Sequence, residues 1–411
     1  MKKLLFYFVC ISIYFFFYVS CSSNSSHSKE SDGNGFYIIN LDSAENSYQT
    51  FLYSSIYKNI KTTILETDKS CLIGWIDKIR IYDQHFYILD SNNAKSLFVF
   101  DKDGRFIRKI GSVGPGPGEF ENPSDFTIDT KNKTIYLLDD HSQRINKYSL
   151  ISGDFISSIN LDKKIYSHNI EYFNGKLYAD AYFYEHKDDN YLLRVISEPS
   201  GLEDGQYINV MEYNKGLSNT TTIFRKPFYF RENGNLVFVQ QFMDHIIEIS
   251  EESISPLFTI KSNDLFTSKD LKEIEEIDIV SLLRFTKIFK SKKFHDISDF
   301  IEHDNLVIFS YIKGGIFTNI IFNKQTNKVD IIYQQRDDLL LRENNVNYPY
   351  LNIKTACYDK NGVYFFIRSE FVAQIKKMAQ ENALTSNLDK LENIKTLDDD
   401  ANPIIFYYEF K

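Results

Sequence analysis

The sequence has few of the residues from which redox, metal and disulfide sites are built. Only four of its 411 residues are cysteine, and two of them, Cys10 and Cys21, lie near the N-terminus. The other two, Cys71 and Cys357, have no spacing typical of a metal or redox motif. If the chain closes into a ring, these two thiols could come close enough to pair, but we favour two separate thiols.

Motifs of catalytic and phosphate-binding sites are also missing. The chain has no G-x-S-x-G nucleophile turn, no H-E-x-x-H zinc motif and no glycine-rich phosphate loop. Histidines at positions 141, 168, 186, 245, 295 and 303 are scattered, and no spacing selects a set among them. The sequence therefore assigns no catalytic residue, no metal ligand and no cofactor, and a non-enzymatic role is the favoured interpretation.

The charge balance argues against polyanionic partners. With 47 basic and 56 acidic side chains, the chain carries a net charge of −9 at pH 7. Nucleic acids and anionic lipid surfaces bind proteins mainly through clustered basic side chains. We therefore expect no nucleic-acid partner and no electrostatic attachment to a membrane.

An apolar stretch with the features of a targeting segment lies at the N-terminus. Lys2 and Lys3 precede the aromatic-rich run Leu4–Val19. This run is shorter than the stretch of about 20 apolar residues that a transmembrane helix needs. A basic start followed by such a run is typical of a signal peptide. We predict that residues 1–20 form one and take no part in the fold.

The residues that follow the apolar run suggest a lipid anchor. Tyr18-Val-Ser-Cys21 resembles a lipobox, which implies that Cys21 becomes the lipidated first residue of the mature chain. The alternative is an ordinary secretory signal with a chance cysteine. Because residues 21–35 are rich in serine and asparagine, we predict a flexible tether there.

The most informative feature is a repeat. The segments Ile79–Gly111 and Phe126–Leu161 share one succession of four short strands. In both, the second strand ends in aspartate, at Asp90 and Asp139, and a glycine-bearing turn precedes the last strand. Four-stranded units repeated at this length predict the blades of a β-propeller.

Weaker copies of the same unit continue to the C-terminus. Aligning their second strands selects one anchor residue in each copy, and the six anchors are Tyr87, Tyr136, Tyr178, Phe238, Ile308 and Tyr364. Six anchors predict an all-β fold over residues 36–411, a six-bladed propeller of four-stranded antiparallel blades. Segments with helical signals, at about 269–279 and 371–391, predict short helical insertions in the later blades.

The run GSVGPGPGEFENPSDFTID, Gly111–Asp129, separates the two clear copies. Proline lacks the N–H that a strand needs and glycine weakens strand interiors, so this run must be a loop. With Phe120, Pro123 and Asp129 at their offsets, it resembles the linker of NHL-type propellers. More closely, it resembles the six-bladed β-propeller lipoproteins of Bacteroidetes, which implies an outer-membrane lipoprotein of the cell envelope.

Two further stretches carry the same resemblance. The segment Ile60–Asp83 is similar to the first strands of that family, and DDDANPIIFYYEFK, Asp398–Lys411, is similar to its terminal turn and strand. An early strand at about Lys61–Glu66 should pair with C-terminal strands and close the ring, because an open propeller would leave unpaired strand edges.

Blade geometry indicates where a ligand would bind. The linker between blades and the loop between second and third strands emerge on one face, so the loops at 91–95, 111–123 and 140–144 should lie together. The candidate ligand-binding residues on this face are Asp90, Asn92, Asp139, His141 and Arg144. For each, a solvated turn residue or a carboxylate that caps backbone N–H groups is the favoured alternative.

The fold and the location together suggest a binding module for a small polar ligand, a glycan or a partner protein. The alternative is a propeller hydrolase or lyase with an axial site, with or without a metal. Three or more converging His, Asp or Glu side chains in the central funnel would favour the enzyme. A funnel of Tyr, Phe and backbone groups would favour binding.

Overall fold

The computed structural model describes residues 36–47, 50–161, 167–180, 191–198, 200–209, 226–240, 242–277, 286–342 and 353–411. These residues form the predicted propeller, with six blades of four antiparallel strands. All six anchor residues lie in the second strand of their blade. The predicted signal peptide, Cys21 and the tether lie outside the described residues.

The described chain begins as a strap along the outer edges of the later blades. Its strands are β1 (Tyr37–Asn40), β2 (Glu45–Ser47), β3 (Phe51–Leu52) and β4 (Tyr57–Ile64). β1 pairs in parallel with the outermost strand of blade 4, and β2 does the same on blade 5. β4 is itself the outermost strand of blade 6. The strap therefore covers the edges of two blades and completes a third.

The first three blades follow in chain order. Blade 1 comprises β5 (Lys78–Tyr82), β6 (His85–Asp90), β7 (Ser96–Asp101) and β8 (Phe106–Ile110). The short strands β9 (Ser112–Val113) and β10 (Glu119–Phe120) come next. Blade 2 comprises β11 (Pro123–Asp129), β12 (Thr134–Asp139), β13 (Arg144–Ser149) and β14 (Phe155–Asn160). Blade 3 comprises β15 (Ile170–Phe173), β16 (Lys176–Asp180), β17 (Tyr191–Ile196) and β18 (Glu203–Asn209).

The last three blades carry the helical insertions. Blade 4 comprises β19 (Phe228–Phe230), β20 (Leu236–Phe238), β21 (His245–Ile249) and β22 (Ile254–Lys261), and helix α1 (Ser268–Ile277) follows it. Blade 5 comprises β23 (His295–His303), β24 (Leu306–Lys313), β25 (Ile316–Asn323) and β26 (Lys328–Ile332), and β27 (Gln335–Arg336) comes next. Blade 6 comprises β28 (Ile353–Asp359), β29 (Gly362–Ile367), β30 (Ile404–Phe410) and β4, with helices α2 (Val372–Gln380) and α3 (Leu391–Lys395) between β29 and β30.

The helical segment predicted at 371–391 differs from the structure. Only its first half is an α-helix, α2, and α3 begins at its last residue, because the chain leaves the helical path after Gln380. Asn382 has a φ of 56°, and the N–H of Ala383 bonds to the carbonyl of Met378 at 2.8 Å. A left-handed residue in this place ends an α-helix. None of the helices in the described part of the chain is long and apolar enough to span a membrane.

The hydrophobic core lies between neighbouring blades. Successive residues of a strand point to opposite faces of its sheet. Leu89 on β6 therefore packs in one cluster with Leu137 of blade 2, whereas Ile88 packs in another with Phe366 of blade 6. Because both faces of a blade are buried, the second strands read as continuous apolar runs, as in the YLLD of β12.

The glycine- and proline-rich linker between blades 1 and 2 is a loop, as predicted, apart from the two-residue pairing of β9 with β10. The hydroxyl of Tyr148 donates to the Gly118 carbonyl at 2.8 Å and holds the loop against blade 2. Gly111 has a φ of 68°, and a Cβ there would lie 2.5 Å from the Phe120 ring. Only glycine fits at position 111.

The ring is closed by strands from the two ends of the described chain. β4 pairs antiparallel with β30, which confirms the predicted pairing of an early strand with the C-terminus. Asn402, fully buried before β30, joins the same two regions. Its Nδ2 donates to the carbonyls of Glu66 and Cys71 at 2.6 and 2.8 Å, and its Oδ1 accepts from the Ile73 N–H at 2.8 Å.

The two remaining cysteines are separate thiols. Cys71 is buried between blades 1 and 6, and Cys357 lies on β28 at the propeller axis; neither forms a disulfide. Burial raises the pKa of the Cys357 thiol to about 12. The thiol therefore stays protonated at neutral pH, which makes it a poor nucleophile.

We predict that Asn402→Ala destabilises the closed ring. The substitution leaves the buried Cys71 carbonyl and the buried Ile73 N–H without their partner and removes the bond to the Glu66 carbonyl, which should lower the free energy of unfolding by about 3 kcal/mol. Urea denaturation of the variant measures the loss. Asn393→Ala, at an exposed position on α3, is the control and should unfold like the wild type; equal midpoints for both variants would show that Asn402 does not hold the closure.

Candidate functional site

Two cavities lie on the propeller axis, at opposite ends of the innermost strands. The linker-side cavity, about 390 Å³, is where these strands begin and is lined by residues such as Asp77, Ser124 and Asn169. The hairpin-side cavity, about 650 Å³, is where they end and is lined by residues such as Tyr82, Asn132 and Gly175. The residues that border both are Arg80, Phe230, Cys357 and Tyr358.

On the side of blades 1 to 3, a buried layer of charged side chains lies between the two cavities. The Lys78 ammonium lies 2.9 Å from Asp125 and 3.3 Å from Glu171. The Arg80 guanidinium forms a further ion pair with Glu171, whose other oxygen accepts from the hydroxyl of Thr127. Asp125 also accepts from the N–H of Ile170 at 2.8 Å. Blades 1, 2 and 3 are thus joined at the axis by one ammonium group, one guanidinium group and two carboxylates.

The two carboxylates respond differently to burial. Burial would raise the pKa of Glu171, but the charges of Arg80 and Lys78 outweigh it, and the pKa lies below its ordinary value. For Asp125 burial dominates and raises the pKa, although Lys78 opposes the rise. Glu171 is therefore ionised at neutral pH, with its oxygens bound to protein groups.

Repeat symmetry explains why these residues meet. Arg80, Thr127 and Glu171 each pair with the anchor residue of their blade across the first hairpin, opposite Tyr87, Tyr136 and Tyr178. They are therefore the same position in three successive blades. Sequence reasoning missed them, although counting the hairpin register back from the anchors would have found them.

One wall of the linker-side cavity is polar. Nδ1 of His168 lies 2.7 Å from Oδ2 of Asp140, and Nδ2 of Asn122 donates to Oδ1 of Asp140 at 2.7 Å. Asp77 accepts from the N–H and the hydroxyl of Ser91 at 2.7 and 2.6 Å. Burial raises the pKa of Asp77, and the bonds from Ser91 oppose the rise. These groups come from the linkers and the second-to-third-strand loops of blades 1 to 3.

The facing wall is largely aromatic. It is formed by blades 4 to 6, and its partly exposed rings are Tyr229, Phe230 and Tyr358, backed by the buried rings of Phe228 and Phe300. Lys226, Asp299 and Thr355 also line it. The hydroxyl of Tyr358 donates to the carbonyl of Phe230, and that of Tyr229 accepts from the N–H of Asp299 at 2.9 Å. The cavity therefore combines hydrogen-bonding groups on one side with flat apolar surfaces on the other.

Of the five predicted ligand-binding residues, only Asn92 lines this cavity. Asn92 is exposed at its mouth, with Nδ2 3.3 Å from Asp77. His141 is exposed elsewhere, bonded to Glu121 at 2.7 Å, and Arg144 donates to the carbonyl of Glu119 at 2.7 Å. The structure brings neither side chain into the cavity, and a ligand role for them stays a prediction.

Asp90 and Asp139 are fully buried and bind backbone N–H groups of the chain that enters their blade. Asp90 accepts from Gly74, Trp75 and Asn93 at 2.8 to 3.0 Å, and Asp139 accepts from Glu121 at 2.8 Å. This is the capping arrangement favoured above for these positions. Asp180, not predicted, is the third member and accepts from the N–H groups of His168 and Asn169 at 2.9 and 2.7 Å. Its signal in the sequence is the aspartate that ends the second strand of blade 3.

The side chains with metal-ligand potential do not gather at the axis in the described part of the chain. Among the described residues, one group of three such side chains lies away from the axis. It consists of Glu232, His303 and Asp304, whose ligand atoms lie within 4.8 Å of one another. It lines neither cavity, and the His303 ring is stacked on Phe410 with centroids 3.9 Å apart.

The propeller sequence matches one known protein family. Residues 36–409 match the family described as a domain of unknown function, DUF4934. The chain belongs to this family. The match spans the whole propeller, from the strap to β30. No curated protein matches the sequence.

Solved structures show that the fold of this DUF4934 protein recurs in Bacteroides. A "Putative exported protein" from Bacteroides fragilis is 20% identical, with a TM-score of 0.70, over 91% of this chain and 99% of its own. A DUF4221 member from Bacteroides vulgatus is 10% identical, with a TM-score of 0.48, over 86% and 97% of the two chains. Virginiamycin B lyase from Staphylococcus aureus is 12% identical, with a TM-score of 0.39, over 85% and 99%. The first similarity shows the fold alone, and the other two carry no argument about function.

We predict that the charged layer makes the stability of the propeller depend on pH. The pKa of Glu171 is lower in the folded chain, so its stabilisation is complete above the ordinary value of 4.5 and is lost as pH falls through the folded value. Glu171→Gln leaves the Arg80 guanidinium without its ion-pair partner and Lys78 with Asp125 alone, which should cost about 3 kcal/mol at neutral pH. The difference from wild type should shrink as pH is lowered below 4.5.

Urea denaturation over a pH series measures this difference. Glu251→Gln, at an exposed turn of blade 4, is the matched control and should follow the wild type at every pH. A difference between Glu171→Gln and wild type that stays constant into the acid range would contradict the role assigned to the layer.

Proposed function

We propose that this protein is an envelope-anchored propeller that binds a small polar ligand in the linker-side cavity. The observation that carries the proposal is the make-up of that cavity, in which carboxylate, amide and imidazole groups of blades 1 to 3 face an aromatic wall from blades 4 to 6. Sites for small molecules are typically concave, with apolar surfaces and a few placed polar groups.

The ligand is proposed to be uncharged or zwitterionic. Charged groups around the cavity already have protein partners, as in the pairs Lys78–Asp125 and Asp140–His168. Lys226 donates to the carbonyl of Thr355 at 2.9 Å. An ion would have to break such pairs and leave a buried charge without its partner, which is costly.

The side chains of this cavity suit the binding of a ligand better than catalysis at the propeller axis. The buried carboxylates Asp125 and Glu171 are occupied by ion pairs and hydrogen bonds, so they are not poised to exchange protons with a substrate. Within the described residues, no group of three ligand-capable side chains meets in the funnel. The aromatic wall is the feature expected of a binding funnel.

The envelope part of the proposal is supported by the N-terminal sequence. The basic start, the apolar run and the lipobox-like Tyr18–Cys21 favour export and lipidation at Cys21. The Bacteroides fragilis protein of the same fold is named as exported. We propose that the mature chain is an outer-membrane lipoprotein that holds its propeller on a polar tether, residues 21–35.

We predict that blocking the mouth of the linker-side cavity abolishes ligand binding. The purified full chain is screened by thermal shift and saturation-transfer NMR against monosaccharides, L-amino acids and dipeptides at millimolar concentration. At least one compound should stabilise the wild type. Asn92→Trp fills the mouth from an exposed position and should remove the stabilisation.

Gln325→Trp is the control for this experiment, because Gln325 is exposed on the turn between β25 and β26 and lines neither cavity. It should bind like the wild type. The proposal fails if no compound of the panel binds, or if Asn92→Trp binds as well as Gln325→Trp.

A separate prediction concerns the anchor. Cells fed labelled palmitate should incorporate the label into the wild type and into Cys10→Ala, which alters only the predicted signal peptide. Cys21→Ala should incorporate none. Equal labelling of Cys21→Ala and wild type would disprove lipidation at Cys21 without affecting the proposal for the cavity.

A further inference from the structure

We infer that the hairpin-side cavity is a second binding site, for a neutral oligosaccharide. Its volume of about 650 Å³ lies within the range of small-molecule sites, about 300 to 1,000 Å³. It is larger than the linker-side cavity and opens at the other end of the axis. A ligand there would be separated from one in the linker-side cavity by the buried charged layer.

The walls of this cavity combine aromatic rings with polar side chains. Six rings come from blades 1, 3, 4 and 6, namely Tyr82, Tyr172, Phe173, Phe230, Tyr358 and Tyr364. Tyr82, Tyr172, Tyr358 and Tyr364 are only partly buried. Such rings leave apolar surface in contact with water unless a ligand covers it.

The rings are held in place by neighbouring side chains. Tyr172 is stacked on Tyr136, with centroids 5.4 Å apart and an interplanar angle of 11°. Tyr364 packs on Tyr407 at 4.5 Å, and the hydroxyl of Tyr82 accepts from Lys133. A ligand that stacks on these rings would therefore lose little affinity to side-chain ordering.

Four of the five charged side chains around the cavity bond to protein groups, and the fifth, Lys131, is exposed to solvent. Asp129 accepts from the N–H groups of Lys131 and Asn132 at 2.9 and 3.0 Å. Asp359 accepts from the N–H groups of Asn361 and Gly362 at 2.8 and 3.0 Å. The floor is the ion pair of Arg80 with Glu171. Burial raises the pKa of Tyr172 to about 12, so its hydroxyl is neutral at physiological pH. This balance favours an uncharged ligand.

Polar groups at both ends of the cavity favour a sugar over a flat aromatic compound. Thr130 and Asn174 lie on exposed hairpin turns at the rim, and Arg80 lies at the floor. A sugar chain has apolar ring faces, which stack on aromatic side chains, and hydroxyls along its edges, which bond to polar groups. A flat aromatic compound would leave most of these polar groups unused.

The test uses the purified full chain and five neutral oligosaccharides: maltotriose, cellotriose, xylotriose, mannotriose and diacetylchitobiose. Isothermal titration calorimetry should detect binding of at least one. Tyr172→Ala should weaken that binding by about tenfold or more, as loss of a stacking platform does, whereas Tyr172→Phe should retain it. Thr130→Trp, which narrows the rim from an exposed turn, should weaken binding without disturbing the fold.

Asn92→Trp separates this inference from the proposed function. It blocks the linker-side cavity and should leave oligosaccharide affinity unchanged. Loss of affinity in Asn92→Trp would place the sugar in the other cavity and overturn the inference. So would a panel without any binder, or equal affinities for wild type, Tyr172→Ala and Thr130→Trp.

Discussion

The pairing of β4 with β30 is the contact on which the propeller depends, because it joins the two ends of the described chain in one sheet. Each blade buries both faces against its neighbours, so an open ring would expose two blade faces and unpaired strand edges. Both axial cavities are walled by blades from opposite sides of this closure, including β5 of blade 1 and β28 of blade 6. Neither cavity exists until the last strand has paired with the first blade-forming one.

Three buried aspartates hold the chain where it passes from one blade to the next. Asp90, Asp139 and Asp180 end the second strands of blades 1 to 3 and bind the N–H groups of the incoming segment. A buried carboxylate that accepts several backbone bonds is satisfied without a ligand. These aspartates set the geometry of the linker-side loops. The side chains that line the linker-side cavity belong to the same loops.

The axial charged layer has a different physical role. Lys78, Arg80, Asp125 and Glu171 are buried where blades 1 to 3 meet, and removing one member would leave at least one buried partner with less charge compensation. On the side of blades 1 to 3, the layer lies between one cavity with a polar and an aromatic wall and another in which tyrosines alternate with polar side chains. Two different surfaces on one axis suit two different ligands.

The sequence by itself determined the number of blades, the second strand of each and the loop character of the Gly111–Pro123 linker, because these follow from local strand patterns and turn residues repeated along the chain. It also indicated the face on which Asn92 lies. Only the tertiary structure decided that Arg80, Thr127 and Glu171 meet, that Asp90 and Asp139 bind backbone, and that tyrosines of blades 1, 3 and 6 surround one cavity. Residues of different blades come together only through ring closure, and their distances depend on blade packing and hairpin register rather than on any short stretch of sequence.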